Sequence, residues 1–233
     1  MDWYGIAAGA RFRWCAVGDV IVSILYVSII GTGSVGMALA RNLVRHGINV
    51  QLAARDAAKT RELAAALGER AFAAETSALR NGVGLVLLTV PAVAAVAELA
   101  KASLPPGTIV VDCTNPLRWV DGPVHTPPPE GSTTAQLAAR FPRLRLVKAF
   151  NTFGAELHDR PQLGCEVADL YLAGDDVDAK RVVDKLARTL GFEPVDVGPL
   201  RNARHLESLA ILWVHLATVG KRGRDIAFKL LRR

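Results

Sequence analysis

Cysteine is scarce: the 233 residues contain three, Cys15, Cys113 and Cys165, far apart and with no C-x-x-C pair. This excludes a disulfide framework and a zinc knuckle, and it fits a reducing, cytoplasmic setting. Aromatic residues amount to 6% of the chain, and the basic C-terminal tail shows no aromatic interleaving. The formal charge of +6 sits at one end, because residues 201–233 carry eight Lys/Arg against two acids while residues 1–200 balance. Such a tail is read as a solvated basic face, and no nucleic-acid partner is expected. The apolar run from Trp14 to Ile30 is broken by Asp19 and leads straight into a glycine turn. A cleaved signal or a membrane span there would remove the first strand, so neither is expected. Residues 1–23 are read as an extension outside the fold. Ser-His-Asp and metal-ligand spacings are also missing, with His46, His125, His158, His205 and His215 scattered. No metal site is expected. An enzyme is not excluded, since hydride transfer between two conjugated rings needs stacking, alignment and exclusion of water more than an acid or base.

What is present is apolar content, 51% of residues against 21% charged, enough to fill a large core. The chain is organised around Ile29-Ile30-Gly31-Thr32-Gly33-Ser34-Val35-Gly36. A β-branched apolar run precedes it, and Val35, Leu39, Leu43 and Val44 follow at helical spacing. Gly31, Gly33 and Gly36 therefore match G-x-G-x-x-G in its strand–turn–helix context. The first glycine allows the tight turn, the second lets the backbone approach a pyrophosphate, and the third lets helix and strand pack closely. The free N–H groups and positive dipole end of the helix then face the phosphates.

Strands and helices alternate from there. Strands are expected near 25–30, 48–54, 71–73, 83–90, 108–112, 144–150, 168–173 and 193–197. Helices are expected near 34–46, 56–67, 75–80, after Pro91, and at 132–141, 176–190 and 203–219. Residues 115–131, rich in proline, read as a long functional loop. The alternation predicts an α/β fold, a doubly wound parallel sheet of Rossmann type with a smaller C-terminal α/β extension. The expected division is 1–23 extension, 24–155 dinucleotide-binding domain, and 156–233 a smaller part with acceptor and dimer helices. In the 203–219 helix an apolar stripe of Leu206, Leu209, Ala210, Trp213, Leu216 and Ala217 is joined by Ile211, Leu212 and Val214 on other faces. A helix apolar nearly all round must be buried, which predicts a homodimer through it.

Ligands of such sheets bind beyond the carboxyl ends of the strands. After the second strand comes Arg55, where NAD-specific sites usually place an acid, with Lys59 one helical turn on. A planar guanidinium suits a 2′-phosphate, so NADP is favoured over NAD. Asp56 is better placed to cap the next helix. The fourth strand ends in Thr89-Val90-Pro91, the fifth in Cys113-Thr114-Asn115-Pro116, and the sixth in Lys148-Ala149-Phe150-Asn151. Val90, Pro91, Asn115, Pro116 and Lys148 are the candidates around the ribose and nicotinamide, and Asn151 is the candidate at an acceptor pocket. An ion pair for Lys148 and a turn role for Asn151 are the plainer alternatives. Cys113 is read as a buried thiol rather than a nucleophile.

The glycine turn, Ala54-Arg55, Thr89-Val90-Pro91, Asn115-Pro116 and Lys148-Ala149-Phe150-Asn151 together resemble the NADPH-dependent reductases of the deazaflavin coenzyme F420. So does Val197-Gly198-Pro199-Leu200 followed by Ala203-Arg204-His205-Leu206-Glu207. The same set is similar to the cytoplasmic domain of the six-transmembrane ferric reductases. The resemblance spans about residues 25–233. It implies a hydride transfer between NADP(H) and a small-molecule acceptor, coenzyme F420 in the first family and a flavin (FMN or FAD) in the second. The F420 reductases often carry His where Asn151 stands, whereas the ferric-reductase domains carry Asn. An NADP-sensing protein without turnover is the rival from another class; it would lack an open second pocket. A reductase of imines or 2-hydroxy acids would need a general acid beside the nicotinamide, and the sequence offers none.

Overall fold

The computed structural model describes residues 26–79, 84–231 and 233. The 1–23 extension, with Cys15, lies outside the described residues. In chain order the elements are β1 (Tyr26–Ile30), α1 (Ser34–Arg45), β2 (Asn49–Ala53), α2 (Ala57–Leu67), β3 (Ala71–Ala74), β4 (Leu85–Leu88), α3 (Ala95–Lys101), β5 (Ile109–Asp112), β6 (Leu117–Trp119), β7 (Pro123–His125), α4 (Thr133–Arg140), β8 (Arg145–Lys148), α5 (Ala155–Asp159), β9 (Gln162–Leu163), β10 (Glu166–Val167), β11 (Asp169–Leu172), α6 (Val177–Thr189), β12 (Glu193–Asp196) and α7 (Ala203–Ala217).

Six strands form one parallel sheet in the order β3-β2-β1-β4-β5-β8. The order reverses between β1 and β4, which sets the crevice at their carboxyl ends. Helices cover both faces, so the central strands are apolar on both sides: β4 (LVLL) and all of β1 except Tyr26 are buried. Alternate residues feed two cores. Ile29, Leu87, Val111 and Val147 pack with α1 and α6 on one face; Ile30, Val86, Leu88, Val110 and Leu146 pack with α3 and α4 on the other.

Helix starts follow from side-chain caps. Asp56 Oδ1 accepts from Lys59 N at 3.0 Å, Ser132 Oγ from Ala135 N at 3.1 Å, and Asp176 Oδ1 from Ala179 N at 2.9 Å. The last two strands form a second, two-stranded parallel sheet, β11-β12. An antiparallel bridge between Lys148, the last residue of β8, and Ala173 joins the end of β11 to the main sheet. The boundary expected at 155/156 falls inside α5.

Three expectations change. The Pro-rich segment is not an irregular loop throughout: β6 and β7 pair as an antiparallel hairpin. Its turn places Asp121 and Gly122 at positive φ, conformations that Asp and Gly tolerate. The helix expected near 75–80 is a single 3₁₀ turn, Thr76–Ala78. The basic tail is not simply solvated. Lys229 pairs with Asp169 at 3.0 Å and Glu193 at 2.5 Å, the Leu230 amide donates to Asp169, and Trp213 Nε1 donates to the Ile226 carbonyl at 2.7 Å. Carboxylates on β11 and β12 give the tail a docking line that charge counting along the sequence could not reveal.

Candidate active site

The glycine turn is shaped by close approach to β4. Gly31 has φ +111, and a Cβ there would lie 2.9 Å from the Thr89 carbonyl carbon and oxygen. A Cβ on Gly36 would sit 2.1 Å from the Gly31 oxygen, so the first turn of α1 tolerates no side chain at that position. Thr89 Oγ1 donates to Gly31 O at 2.8 Å and ties the turn to the neighbouring strand. Gly33 is different, because a Cβ there would meet nothing within 4 Å. It is the exposed N-cap of α1, and no side chain caps it. Thr32, Gly33 and Ser34 thus present open backbone beneath a positive helix end, a cradle that fits a pyrophosphate. Val35 and Gly36 face inward, half-buried and buried.

At the end of β2, Arg55 and Lys59 are both exposed. Neither side chain has a hydrogen bond or ion pair among the described residues; Asp56 is occupied as helix cap. Two unpaired cations one helical turn apart fit a 2′-phosphate.

The ends of β4, β5 and β8 converge. Val90 is half-buried, Pro91 is exposed and starts the 3₁₀ turn before α3, Asn115 is half-buried and Pro116 is buried. Asn115 and Asn151 form a reciprocal clamp. Asn115 Nδ2 donates to the Asn151 carbonyl at 2.8 Å, and Asn151 Nδ2 donates to Asn115 Oδ1 at 2.9 Å and to Leu206 O at 3.0 Å. Asn151 is 4% exposed, and its Oδ1 is buried without a protein partner. It therefore bridges β5, β8 and α7 rather than standing free at the cleft.

Lys148 is enclosed, with no exposed side-chain surface. Its ammonium donates to Asp112 Oδ2 at 3.1 Å, Glu207 Oε1 at 3.1 Å and the Thr114 carbonyl. Asp112 also accepts from Thr134 Oγ1 and the Thr114 amide, and Glu207 from the Thr133 amide. His125 Nε2 stands 3.4 Å from Glu207 Oε2 at the rim. Two carboxylates and one ammonium carry one formal negative charge, so Lys148 is the cation that makes this buried cluster tenable. The position first assigned to a cofactor contact holds a strut under the 113–116 loop. Sequence reasoning missed Asp112 and Glu207 as its partners, and Thr134 and His125 as the groups that contact those two carboxylates. A lysine inside an apolar strand, with an acid ending the neighbouring strand, was the available signal. Cys113 is buried, and burial, then Asp112, pushes its thiol far up against the opposing effect of Lys148, so it is not a nucleophile.

A cavity of about 490 Å³ opens beside the glycine turn. Thr32, Gly33, Ser34, Met37 and Arg41 form one wall, and Ala155, Glu156, Asp159 and Arg160 form the other. The walls are stapled together: Arg41 Nε pairs with Asp159 Oδ2 at 2.8 Å, Arg45 pairs with the same carboxylate, and Asn42 Nδ2 donates to His158 O at 3.0 Å. Burial raises Asp159, but the hydrogen bonds from Arg41 and Arg45 outweigh it and leave the group below the usual carboxylate range. The Arg160 guanidinium has no partner among the described residues.

Residues 26–116 match the family described as NADP oxidoreductase, coenzyme F420-dependent. The metalloreductase STEAP3 of Rattus norvegicus is 30% identical over 186 residues, covering 79% of this chain and 36% of the relative. A crystal structure from Arthrobacter sp. FB24, described as a proposed F420-dependent NADP reductase, superposes with TM-score 0.80 at 26% identity, covering 88% of this chain and 99% of that one. This chain is similar to NADP-dependent oxidoreductases. A hypothetical protein from Sinorhizobium meliloti, SMa0349, is 32% identical, with TM-score 0.66, over 76% of this chain and 87% of that one. The chain spans about a third of the length of the rat metalloreductase. No helix among its described residues is long and apolar enough to cross a membrane.

Proposed function

We propose that this oxidoreductase transfers hydride between NADP(H) and a deazaflavin, coenzyme F420. The observation that carries this reading is the cavity between the glycine turn and α5. Its volume is of the size that takes a small organic ligand, about 300–1,000 Å³, and the pyrophosphate cradle of Thr32, Gly33 and Ser34 forms one of its walls. Bound NADPH supplies the hydride. The chain supplies placement: Gly31 to Gly36 hold the pyrophosphate and Arg55 with Lys59 the 2′-phosphate. Val90, Pro91, Asn115 and Pro116 frame the nicotinamide. Lys148 and Asn151 act one step back, fixing the 113–116 loop against β8 and α7. No side chain is assigned to the proton that accompanies the hydride, and water delivers it.

A flavin, FMN or FAD, is the second reading, favoured by the similarity to a metalloreductase and by Asn at position 151 in place of the His often found in F420 reductases. The setting we propose is cytoplasmic. We also propose a homodimer through α7. Its inner face, with Leu206, Ala210, Trp213 and Ala217, is buried within the chain. Leu212 and Val219, at the far side and just beyond the helix, are exposed. They join the exposed Trp119 and Val120 of the β6–β7 hairpin, where a Cβ on Gly122 would touch Val219 at 3.6 Å. The test of function is steady-state oxidation of NADPH with F420, FMN, FAD and ferric chelate in turn. F420 should give the highest kcat/KM; a flavin or chelate in first place would transfer the assignment, and no turnover with any of them would favour the sensor.

A further inference from the structure

His158, on α5, is fully buried, and both of its ring nitrogens face carbonyl oxygens. Nδ1 lies 2.8 Å from Gly154 O and Nε2 lies 2.8 Å from Phe150 O. A neutral imidazole has one N–H and can donate to only one of them. Burial pushes this histidine below its ordinary range, more than the Phe150 and Gly154 carbonyls and Glu156 pull it up. Glu156, on the same helix, is the charged group acting on it. From the other elements it meets the neutral Asn42 of α1 and the rings of Phe150 and Phe153.

The two carbonyls are not equivalent. Gly154 is the N-cap of α5, a position whose carbonyl ordinarily accepts the first backbone N–H bond of its own helix. No backbone N–H among the described residues reaches the Phe150 carbonyl. Phe150 also has φ +57, a left-handed conformation that a bulky side chain adopts only under constraint. The next residue is Asn151, whose amide and carbonyl clamp Asn115. The backbone at 150 thus decides where the β5 and β8 ends meet.

We propose that His158 is a positioning residue: its Nε2–H holds the Phe150 carbonyl, closes the left-handed turn, and so sets the Asn115–Asn151 clamp at the acceptor end of the sheet. Its effect on turnover rests on the hydride-transfer reading above; its effect on the clamp does not.

Nitrogen-15 shifts of the ring in the unaltered protein come first. They should show the proton on Nε2, and a proton on Nδ1 would overturn the proposal. Two variants then separate the contacts, because a Gln amide nitrogen reaches the place of Nε2 and an Asn amide nitrogen the place of Nδ1. His158→Gln should keep kcat within about threefold of the parent while His158→Asn lowers it about tenfold or more, with NADPH affinity within about twofold in both, since misplacement at the reacting end costs rate rather than cofactor binding. Hydrogen exchange of the Asn151 side-chain amide should stay slow in His158→Gln and speed up about tenfold or more in His158→Asn. Equal behaviour of the two variants in exchange would leave His158 a core residue and sink the idea. If the parent reduces no acceptor, the functional reading fails, and the tautomer and exchange measurements still decide the positioning role.

Discussion

Replacing Lys148 by Met removes the one ammonium from a site where Asp112 and Glu207 have no exposed side-chain surface. The methionine fills a similar volume, so the loss is mainly electrostatic. Asp112 would keep Thr134 Oγ1 and the Thr114 amide, and Glu207 the Thr133 amide, but neither carboxylate would keep a buried cation. Breaking a buried pair by deleting one partner costs about 3–5 kcal/mol, and here one cation serves two acids, so the upper half of that range is expected. For a chain of this size each kcal/mol shifts Tm by about 2–4 °C, which gives a fall of roughly 8–20 °C. Adding Glu207→Gln removes one of the stranded charges and should recover about 1 kcal/mol or more, a coupling in the range seen for contacting groups. Thermal and urea unfolding of the parent, both single variants and the double variant complete the cycle. If Lys148→Met costs under about 1 kcal/mol yet weakens NADPH binding tenfold, Lys148 touches the cofactor and the strut reading is wrong.

Three further outcomes are expected. Arg55→Ala should cut the preference for NADP(H) over NAD(H), at least about tenfold (about 1.4 kcal/mol) in the parent, while NADH affinity barely changes; isothermal titration with both cofactors checks this, and equal affinities in the parent would remove Arg55 from the 2′-phosphate site. His158 titrates lower in the fold than its ordinary 6.5, so its contribution is complete above that pH and is lost as pH falls from about 6.5 towards the lowered folded value. Asp176, held at about 2 by Arg145, adds to acid sensitivity only below its ordinary 3.8, so denaturant midpoints should soften below pH 6.5 in the parent and stay flatter in His158→Gln. Leu212→Asp should shift the particle mass by light scattering from dimer to monomer at micromolar concentration, and a monomeric parent would dispose of the α7 interface.

The parallel sheet was legible because its signals are local. Ile29 to Gly36 carry strand, turn and helix start within eight residues, and the buried run Leu85–Leu88 is apolar on both faces, as only a central parallel strand need be. Asp56 and Asp176 announce helices through caps that act within three residues. What escaped depends on contacts far apart in sequence. Lys148 meets Glu207 across 59 positions, and Asn42 of α1 holds the His158 carbonyl of α5 across 116. The hairpin of residues 117–125 was hidden by its prolines: Pro116 precedes β6 and Pro123 is the first residue of β7, where neither breaks the pairing. Lys229 gave no sign of Asp169, because the tail docks on a sheet formed sixty residues earlier. Arg55 stood out by the absence of an acid, and its guanidinium has no partner among the described residues.

Direct hydride transfer to a planar acceptor is the central claim, and isotopic tracing tests it most directly. NADPH carrying deuterium on the reactive face of C4 is mixed with the oxidoreductase and F420, and the reduced deazaflavin is recovered for mass spectrometry. A deazaflavin accepts hydride at carbon, so the label should remain on the reduced ring and not exchange with water. Reduced F420 that carries only solvent hydrogen, or no reduction at all while NADPH stays bound, would contradict the account.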